Sequence, residues 1–460
     1  MKPLVILLSF TFFSTTLYAN SHSQQHFDTG GLSRESFPEG FLFGTAASAY
    51  QVEGMASEDG RGPSIWDAFV KTPGHIANNE TGEVSIDQYH RYKMLNFDAY
   101  RFSISWSRIF PNGIGEVNWK GVDYYNRLID YLLEKGITPH ANLYHYDLPL
   151  ALQEKYLGLL DRQVIQDFAD YAEFCFKTFG DRVKTWMTFN EPRVVAALGF
   201  DNGINPPNRC SKKFGNCTDG NSATEPYIAA HHLILMLKPL KDIRARDFHI
   251  GWFLHPLIYG KYPRTMQKIV RERLPKFTKS EVEKVKNSFD VLCLNHYTSY
   301  YIYEPHQPPS NVTGYQQDWN AGFAYERNGV PIGRRLKCLI YKKCRPIPNA
   351  VTYVKKHYGS PNIILSENGM DDPGNLTFPE SLYDINRVSF YRSYLKELKR
   401  AMDDGANVTG YFAWSILDNF EWLLGYTSRF GLVYVDHNDL KRYPKLSAYW
   451  FKQMLERKNS

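Results

Sequence analysis

Beyond its N-terminal segment the sequence has no run of about 18 apolar residues, the length that a helix needs to cross a membrane. It also lacks a Cys-x-x-Cys pair, a concentrated stripe of basic residues and a phosphate-binding glycine-rich turn. The lack of a Cys-x-x-Cys pair argues against a common zinc centre, and the lack of a basic stripe argues against a nucleic-acid-binding protein. The lack of a glycine-rich turn argues against a nucleotide-binding open sheet. No linker-like tract separates two halves, so we expect the 460 residues to form one large domain.

The composition supplies material for a large core, because 43% of the residues are hydrophobic and 15% are aromatic. Most of the rings are expected to be core residues, and some can form the flat surfaces on which sugars pack. The net charge of +6 is modest. A charge of this size is compatible with retention on an acidic matrix such as a pectin-rich wall. It is at least as compatible with a protein whose net charge has no role in binding.

The N-terminus has the parts of a secretory signal peptide. Lys2 precedes a largely apolar run over residues 4–13, which is followed by the small residues Ala19 and Ser21, and cleavage after either residue is possible. We predict a signal peptide at 1–21 and a single domain at 22–460. Because the C-terminus carries no Lys-Asp-Glu-Leu-type retention signal, the expected destination is the extracellular space or cell wall, with the vacuole as an alternative.

Six cysteines in an exported chain permit disulfides. Cys210 and Cys217 enclose a short polar loop whose ends can meet, so we predict a bridge between them. Cys175 and Cys293 lie in apolar helix and strand patterns and are predicted to be core thiols.

The sequence contains five Asn-x-Ser/Thr sequons. We predict glycosylation at four of them, which are Asn79, Asn216, Asn311 and Asn375. The fifth, Asn407, falls in a predicted strand, so we expect it to be buried and unmodified.

Short β-rich segments alternate with amphipathic helices along the whole chain. Such alternation predicts parallel strands with crossover helices, and a (β/α)₈ barrel is favoured over a doubly wound open sheet because the first strand lacks a glycine-rich turn. The predicted strands are 41–45, 99–105, 139–144, 185–189, 289–294, 362–365 and 410–414.

Polar residues follow these strands at the ends that a barrel brings to one face. They include His145, Asn190, Glu191, Asn295 and Glu367. Glycoside hydrolysis needs one carboxyl group that protonates the leaving oxygen and a second, ionised carboxylate on the other side of the sugar. Glu191 and Glu367 each follow an apolar strand, and on a barrel they would face each other across one pocket, so we predict that they are the catalytic pair.

Three segments, 41–54 (FLFGTAASAYQVEG), 101–109 (RFSISWSRI) and 414–431, give the sequence a specific resemblance. They resemble plant β-glucosidases of glycoside hydrolase family 1, and the likeness covers nearly everything after the signal peptide. The resemblance implies that Glu191, in Asn-Glu-Pro, is the general acid/base and that Glu367, in Glu-Asn-Gly, is the nucleophile. It implies a retaining mechanism with the two carboxyl groups about 5–5.5 Å apart. It also implies that Glu191 has a raised pKa and that Glu367 stays ionised.

The resemblance further implies roles around the sugar. Trp414 would lie under the ring, Tyr297 would orient the nucleophile, and the other substrate-binding residues would be Gln51, His145, Asn190, Glu421, Trp422 and Phe430. Small β-glycosides or short oligosaccharides are the expected substrates, with no metal or organic cofactor. The adjacent His231 and His232 are expected to serve the surface or packing, not a metal site. Glu191 favours O-glycosides, because related thioglucosidases carry Gln there. The aglycone and the oligomeric state are not readable from the sequence.

The chain departs from the family pattern in three places. No β-rich run lies between the helix at 224–237 and residue 289, so the fifth strand of the barrel is expected to be missing. The connection at 92–97 is shorter by about two helical turns. A basic run at 334–345, which includes the unexplained Cys338 and Cys344, replaces a Trp- and Pro-containing segment. These departures leave a second hypothesis open, namely a catalytically impaired or non-catalytic sugar-binding relative of the same fold.

Overall fold

The computed structural model describes residues 27–54, 58–84, 95–236, 247–286, 289–303, 305, 313–332 and 347–457. The predicted signal peptide, Asn311, Cys338, Cys344 and the basic run at 334–345 lie outside the described residues.

Seven parallel strands form one sheet with the order β4-β3-β2-β1-β7-β6-β5. All seven correspond to predicted segments, with ends that differ by up to three residues. The strands are β1 (Leu42–Ala46), β2 (Ala99–Ser103), β3 (Thr138–Tyr144), β4 (Thr185–Phe189), β5 (Leu292–Asn295), β6 (Ile363–Asn368) and β7 (Val408–Trp414).

The helices pack on the outside of this sheet, where Tyr125 stacks on Phe102 of β2. The longer helices are α1 (Trp119–Glu134), α2 (Gln163–Phe179), α3 (Pro192–Phe200), α4 (Glu225–Leu235), α5 (Trp252–Tyr259), α6 (Ile347–Tyr358), α7 (Ile385–Asp403) and α8 (Leu446–Met454). Shorter helices and two-stranded ribbons fill the loops. The prediction of an α/β barrel of the (β/α)₈ type is confirmed.

Helix α2 shows how the sequence sets these elements. Val164, Phe168, Cys175 and Phe179 recur at helical spacing and are buried, so one apolar stripe faces the sheet. The carboxylate of Asp161 accepts a hydrogen bond from the backbone N–H of Gln163 at 2.8 Å, which satisfies a donor in the first turn.

The barrel interior is tightly filled between β1 and β7. Gly44 of β1 pairs with Ala99 of β2 on one side and with Phe412 of β7 on the other. A Cβ atom at Gly44 would lie 2.3 Å from the Phe412 ring, so only glycine leaves room for that ring inside the barrel.

The sheet has two edges, β4 and β5, and they flank the position from which the fifth strand was predicted to be missing. Described residues in the chain between these strands form helices, including α3, α4 and α5. Most residues of β2, β3, β6 and β7 are buried, whereas β4 has one buried residue and β5 has none. Cys293, which was predicted to be a core thiol, is a free thiol that packs against the buried cluster of Ala99, Ile364 and Phe412. Cys293 is half-buried and not fully buried, because no strand among the described residues pairs with this edge of β5.

Hydrogen exchange is expected to be fastest at these two edges of the sheet. Amides of β4 and β5 that face away from β3 and β6 have no ladder partner in the described part of the chain, so they should exchange about 10-fold faster or more than amides of β2 and β7. Exchange followed by peptide mass spectrometry measures this, with the peptides of β2 and β7 as internal controls. Equal protection in β4, β5 and β7 would show that another segment pairs with the edges.

The loops contain the predicted disulfide and most of the predicted sequons. Cys210 and Cys217 are bridged, with their Cα atoms 5.5 Å apart. Asn79, Asn216 and Asn375 are exposed. The expectation that Asn407 is buried in a strand is wrong, because β7 begins at Val408 and Asn407 lies exposed just before it.

Candidate active site

Glu191 and Glu367 both lie at the carboxyl ends of parallel strands, on the face where barrels of this type place their chemistry. Glu191 follows β4 and precedes α3, and Glu367 is near the end of β6. The Asn295 side chain donates to Glu191 at 3.0 Å and accepts from the Ser366 hydroxyl, next to Glu367, at 2.8 Å, so the two carboxyl groups lie in one pocket. Their predicted separation of about 5–5.5 Å stays a prediction.

Glu367 is buried and held by two donors. The Arg101 guanidinium forms an ion pair with one carboxylate oxygen, and the Tyr297 hydroxyl donates to the other at 2.7 Å. Burial raises the pKa of Glu367, Arg101 lowers it, the charge of Glu191 raises it, and the hydrogen bond from Tyr297 lowers it. The net direction in the sugar-free site is upward, opposite to the expected preference for the ionised form, because burial is the largest of these effects.

Glu191 occupies a strained turn at the start of α3. Its backbone has φ 40° and ψ 62°, in the left-handed region that non-glycine residues rarely adopt, and this conformation turns the chain from β4 into the helix. The Asn295 side chain donates to one carboxylate oxygen at 3.0 Å, and the Tyr146 hydroxyl donates to the other. The carboxyl group is half-buried, so a substrate can reach it.

A chain of polar contacts crosses the barrel and joins the two carboxyl groups. Arg101 contacts Glu367 through one guanidinium nitrogen, and through another it donates to the Asn190 side-chain oxygen at 2.8 Å. That oxygen also accepts from Asn295 at 3.0 Å, and Asn295 donates to Glu191. A displacement of Arg101 would therefore affect both carboxyl groups.

The predicted sugar-binding residues from the first and last strands come together. The Gln51 amide is fully buried and donates to the Phe420 carbonyl at 2.9 Å and to Asn419 at 3.1 Å, and it lies 3.4 Å from the Glu421 carboxylate. Burial, and next the charge of Glu367, raise the pKa of Glu421 to about 8. In the sugar-free site Glu421 is therefore protonated near neutral pH and can both donate to and accept from a hydroxyl group.

Aromatic rings line the same wall. The His145 imidazole stacks between Trp414 and Trp422, at ring-centre distances of 5.8 and 5.9 Å. Burial, and then the Arg101 charge, lower the pKa of His145, so its ring is neutral. The Phe430 ring meets Tyr297 edge-on at 5.8 Å. The structure thus brings all of the predicted substrate-binding residues into the neighbourhood of the two carboxyl groups.

The roles of three residues were not predicted from the sequence. Arg101 was recognised only as part of a motif and Asn295 only as a polar residue at a strand end, and Tyr146 was not recognised. Tyr146 has φ 74°, and its hydroxyl contacts Glu191. Their positions could have indicated these roles, because each residue lies at or near the carboxyl end of a barrel strand.

The paired histidines serve packing. The ring of His231 lies 2.8 Å from the Tyr262 hydroxyl, that of His232 lies 2.8 Å from the Leu159 carbonyl, and both are buried. Among the described residues no group of three or more His, Cys, Asp and Glu side chains is arranged to hold a metal ion. No helix in the described part of the chain is long and apolar enough to cross a membrane.

Comparison with known proteins assigns the chain to a family. The profile described as Glycosyl hydrolase family 1 matches residues 33–238 and 240–460. The chain belongs to glycosyl hydrolase family 1. Beta-glucosidase 44 of Arabidopsis thaliana is 61% identical over 503 aligned positions, which cover 99% of this chain and 98% of that protein. Beta-glucosidase 1 of Oryza sativa subsp. japonica is 60% identical over 475 positions, covering 94% of this chain and 91% of that protein. The predicted resemblance to plant β-glucosidases of family 1 is confirmed.

Solved structures agree with the sequence relatives. The rice Os3BGlu6 β-glucosidase is 45% identical with a TM-score of 0.88, and the match covers 93% of this chain and 100% of that one. A family 1 β-glucosidase of the fungus Humicola insolens, solved with glucose, is 36% identical with a TM-score of 0.85 over 92% and 98% of the two chains.

The alignment with the Arabidopsis protein also bears on the predicted loss of the fifth strand. It spans 503 positions although this chain has 460 residues, so at least 43 positions face gaps in this chain. Gaps of this total length are consistent with the predicted internal deletions.

Proposed function

We propose that this chain hydrolyses the terminal β-D-glucosyl residue of O-glycosides by retaining double displacement, with Glu367 as nucleophile and Glu191 as general acid/base. The observation that carries the proposal is the joined pair of carboxyl groups. One is held by the Arg101 cation and the Tyr297 hydroxyl, and the other is half-buried and held by neutral donors. The family's retaining chemistry needs these two environments, one for attack and one for proton transfer.

In the first step the Glu367 carboxylate attacks the anomeric carbon while the bond to the aglycone oxygen breaks. Glu191 donates its proton to that oxygen, so the aglycone leaves as an alcohol and the glucosyl group is bound to Glu367 through an ester. Arg101 and Tyr297 contact different oxygens of Glu367, so they orient the carboxylate and balance its charge before attack.

In the second step Glu191, now ionised, removes a proton from water, and the water oxygen attacks the anomeric carbon. The ester bond breaks, Glu367 returns as a carboxylate and glucose leaves with its original β configuration. A solved mutant of the rice Os3BGlu6 β-glucosidase is a covalent complex with glucose, which supports an intermediate of this kind for the family.

Contacts to the sugar are proposed for the wall formed by Gln51, His145, Glu421 and Trp422. This wall supplies donors, acceptors and flat rings, which is the mixture that a pyranose needs. Small β-glycosides and short oligosaccharides are the proposed substrates, with β-mannosides and β-fucosides as further candidates.

The proposed location is extracellular or the cell wall, with the vacuole as an alternative. The signal-peptide pattern at 1–21 supports secretion, and the Cys210–Cys217 disulfide fits an oxidising compartment. The exposed sequons at Asn79, Asn216 and Asn375 support a glycoprotein.

Secreted expression in a eukaryotic host tests the proposal. The purified protein is expected to release nitrophenol from a nitrophenyl β-D-glucoside, and the anomeric proton signal of the first glucose formed is expected to be that of the β anomer. An α anomer as the first product would contradict the retaining mechanism. Folded protein without turnover, yet binding glucose, would identify a non-catalytic sugar-binding protein.

A further inference from the structure

A groove of about 670 Å³ lies beside the loop that follows β7, away from the two catalytic carboxyl groups. Its walls come from the turn at 78–84, from the segment at 374–375 and from the loop and ribbon at 426–438. Its volume is in the range of about 300–1,000 Å³ that is usual for ligand sites.

Two sequons border this one groove. Glu80 and Thr81 belong to the Asn79 sequon and line one wall, and Asn375 lines the opposite wall itself. The side-chain oxygen of Asn79 accepts a hydrogen bond from the Gly74 backbone at 2.8 Å. Asn375 is exposed, and its side chain makes no hydrogen bond with the described part of the protein, so its amide nitrogen is available for modification at the rim of the groove.

The lining has the chemistry of a carbohydrate surface. Asn78, Thr427 and Asn438 expose amide and hydroxyl groups, which donate and accept as sugar hydroxyls require. The Tyr426 ring is half-buried and fixed in place, because its hydroxyl donates to the Thr81 carbonyl at 3.1 Å. The ring also packs against that of His437, at a ring-centre distance of 4.2 Å, and the two rings together form an aromatic wall of the groove on which a pyranose can pack.

The groove wall is part of the loop that carries two predicted sugar-binding residues. The Glu421 backbone N–H donates to the Gly425 carbonyl at 2.7 Å, and the Tyr426 N–H donates to the Glu80 carboxylate at 2.6 Å. The loop from Glu421 to Thr427 is thus attached at its far end to the turn of the other sequon. A group seated in the groove would contact both and limit movement of the loop.

We propose that the N-linked carbohydrate on Asn375 lies in this groove and braces the loop that carries Glu421 and Trp422. The proposal rests on the secretory passage proposed above, since the glycan is added there. The sugar is attached at the rim, so it reaches the groove without a separate binding step.

Native enzymatic deglycosylation tests the placement. Protein from a eukaryotic host is treated with peptide N-glycosidase without denaturation, and glycopeptide mass spectrometry follows each site. The Asn375 glycan is expected to be released on the order of 10-fold more slowly than the glycan on the exposed Asn216, because the groove shields it. The double variant Asn78→Gly/Asn438→Ala keeps the sequon and should bring the two rates together. Glycine accepts the φ of 56° at position 78.

The effect of the glycan on the loop is tested by substrate kinetics with two matched variants. Asn375→Gln is expected to raise KM for the glucoside about 3-fold or more and leave kcat nearly unchanged, whereas Asn216→Gln should change neither. Equal release rates at the two sites in the wild type would overturn the proposal even if a variant fails to fold. Glycosylation of Asn216 but not of Asn375 would overturn this inference and leave the proposed reaction unaffected. Absence of glycans from every sequon would overturn both this inference and the proposed glycoprotein, while turnover would still test the proposed reaction.

Discussion

Replacing Glu367 with Gln is expected to lower kcat for a nitrophenyl β-glucoside by about 10⁵-fold or more. The amide keeps the size of the side chain but cannot attack the anomeric carbon, so no glucosyl ester forms. The protein should still fold and bind the sugar, because the change affects one side chain inside a formed pocket. Steady-state kinetics give the loss, and a melting curve shows whether the fold persists.

Glu191→Gln is the matched control, because it removes proton transfer and leaves the nucleophile in place. Its loss should be about 10²–10⁴-fold with a poor leaving group and much smaller for formation of the glucosyl ester from a dinitrophenyl glucoside, which needs no protonation. Azide should then restore turnover by attacking the ester without a base, which yields β-glucosyl azide. If azide rescues the Glu367 variant with a β product and not the Glu191 variant, the two roles are assigned the wrong way round.

Replacing Arg101 with Met is expected to lower kcat/KM by about 10²–10³-fold and to move the acidic limb of its pH profile to higher pH. Turnover requires ionised Glu367, so activity falls as the pH drops through the pKa of that carboxyl group. Arg101 lowers this pKa against the effect of burial. Without the guanidinium the pKa rises further, and the loss of activity therefore begins at a higher pH.

A pH profile distinguishes this electrostatic role from a general loss of structure. Arg101→Lys keeps the positive charge but cannot contact Glu367 and Asn190 together, so it should retain much of the wild-type acidic limb at a reduced rate. An Arg101→Met profile that is lower at every pH but unshifted would contradict a role of the cation in the titration of Glu367.

The strands and the carboxyl pair could be predicted because both are encoded locally. Residues 185–189 are a short apolar run, and the structure has β4 over the same residues. Glu191 and Glu367 follow such runs within specific motifs.

Properties that depend on neighbouring strands were harder to predict. Cys293 packs against a buried cluster but is only half-buried, because burial of a strand depends on the next strand and no described strand pairs with the outer edge of β5. Asn407 was misjudged because it was assigned to a strand, whereas β7 begins one residue later.

Contacts across the barrel were beyond local sequence patterns. An arginine within a β-rich segment gives no sign of which acid it meets, and Glu367 lies 266 positions further along the chain. Tyr146 reaches Glu191 from a left-handed backbone position, which is set by the packing of the turn after β3. The upward shift in the pKa of Glu367 likewise follows from burial in the finished pocket.

The polar contacts through Arg101 bear on which sequence changes the barrel can tolerate without loss of activity. They run from β2 through the interior to β6 and to the residues after β4, and Asn295 at the end of β5 bridges the flank between β4 and β5 because it donates to Asn190 and Glu191. The reacting groups are therefore positioned by side chains that meet on the barrel axis and less by the continuity of the backbone ladder. Insertions and deletions on that flank that keep the contacts of Asn295 with Asn190 and Glu191 would be selected mainly through yield of folded protein. A single substitution at position 101 would instead be selected through turnover.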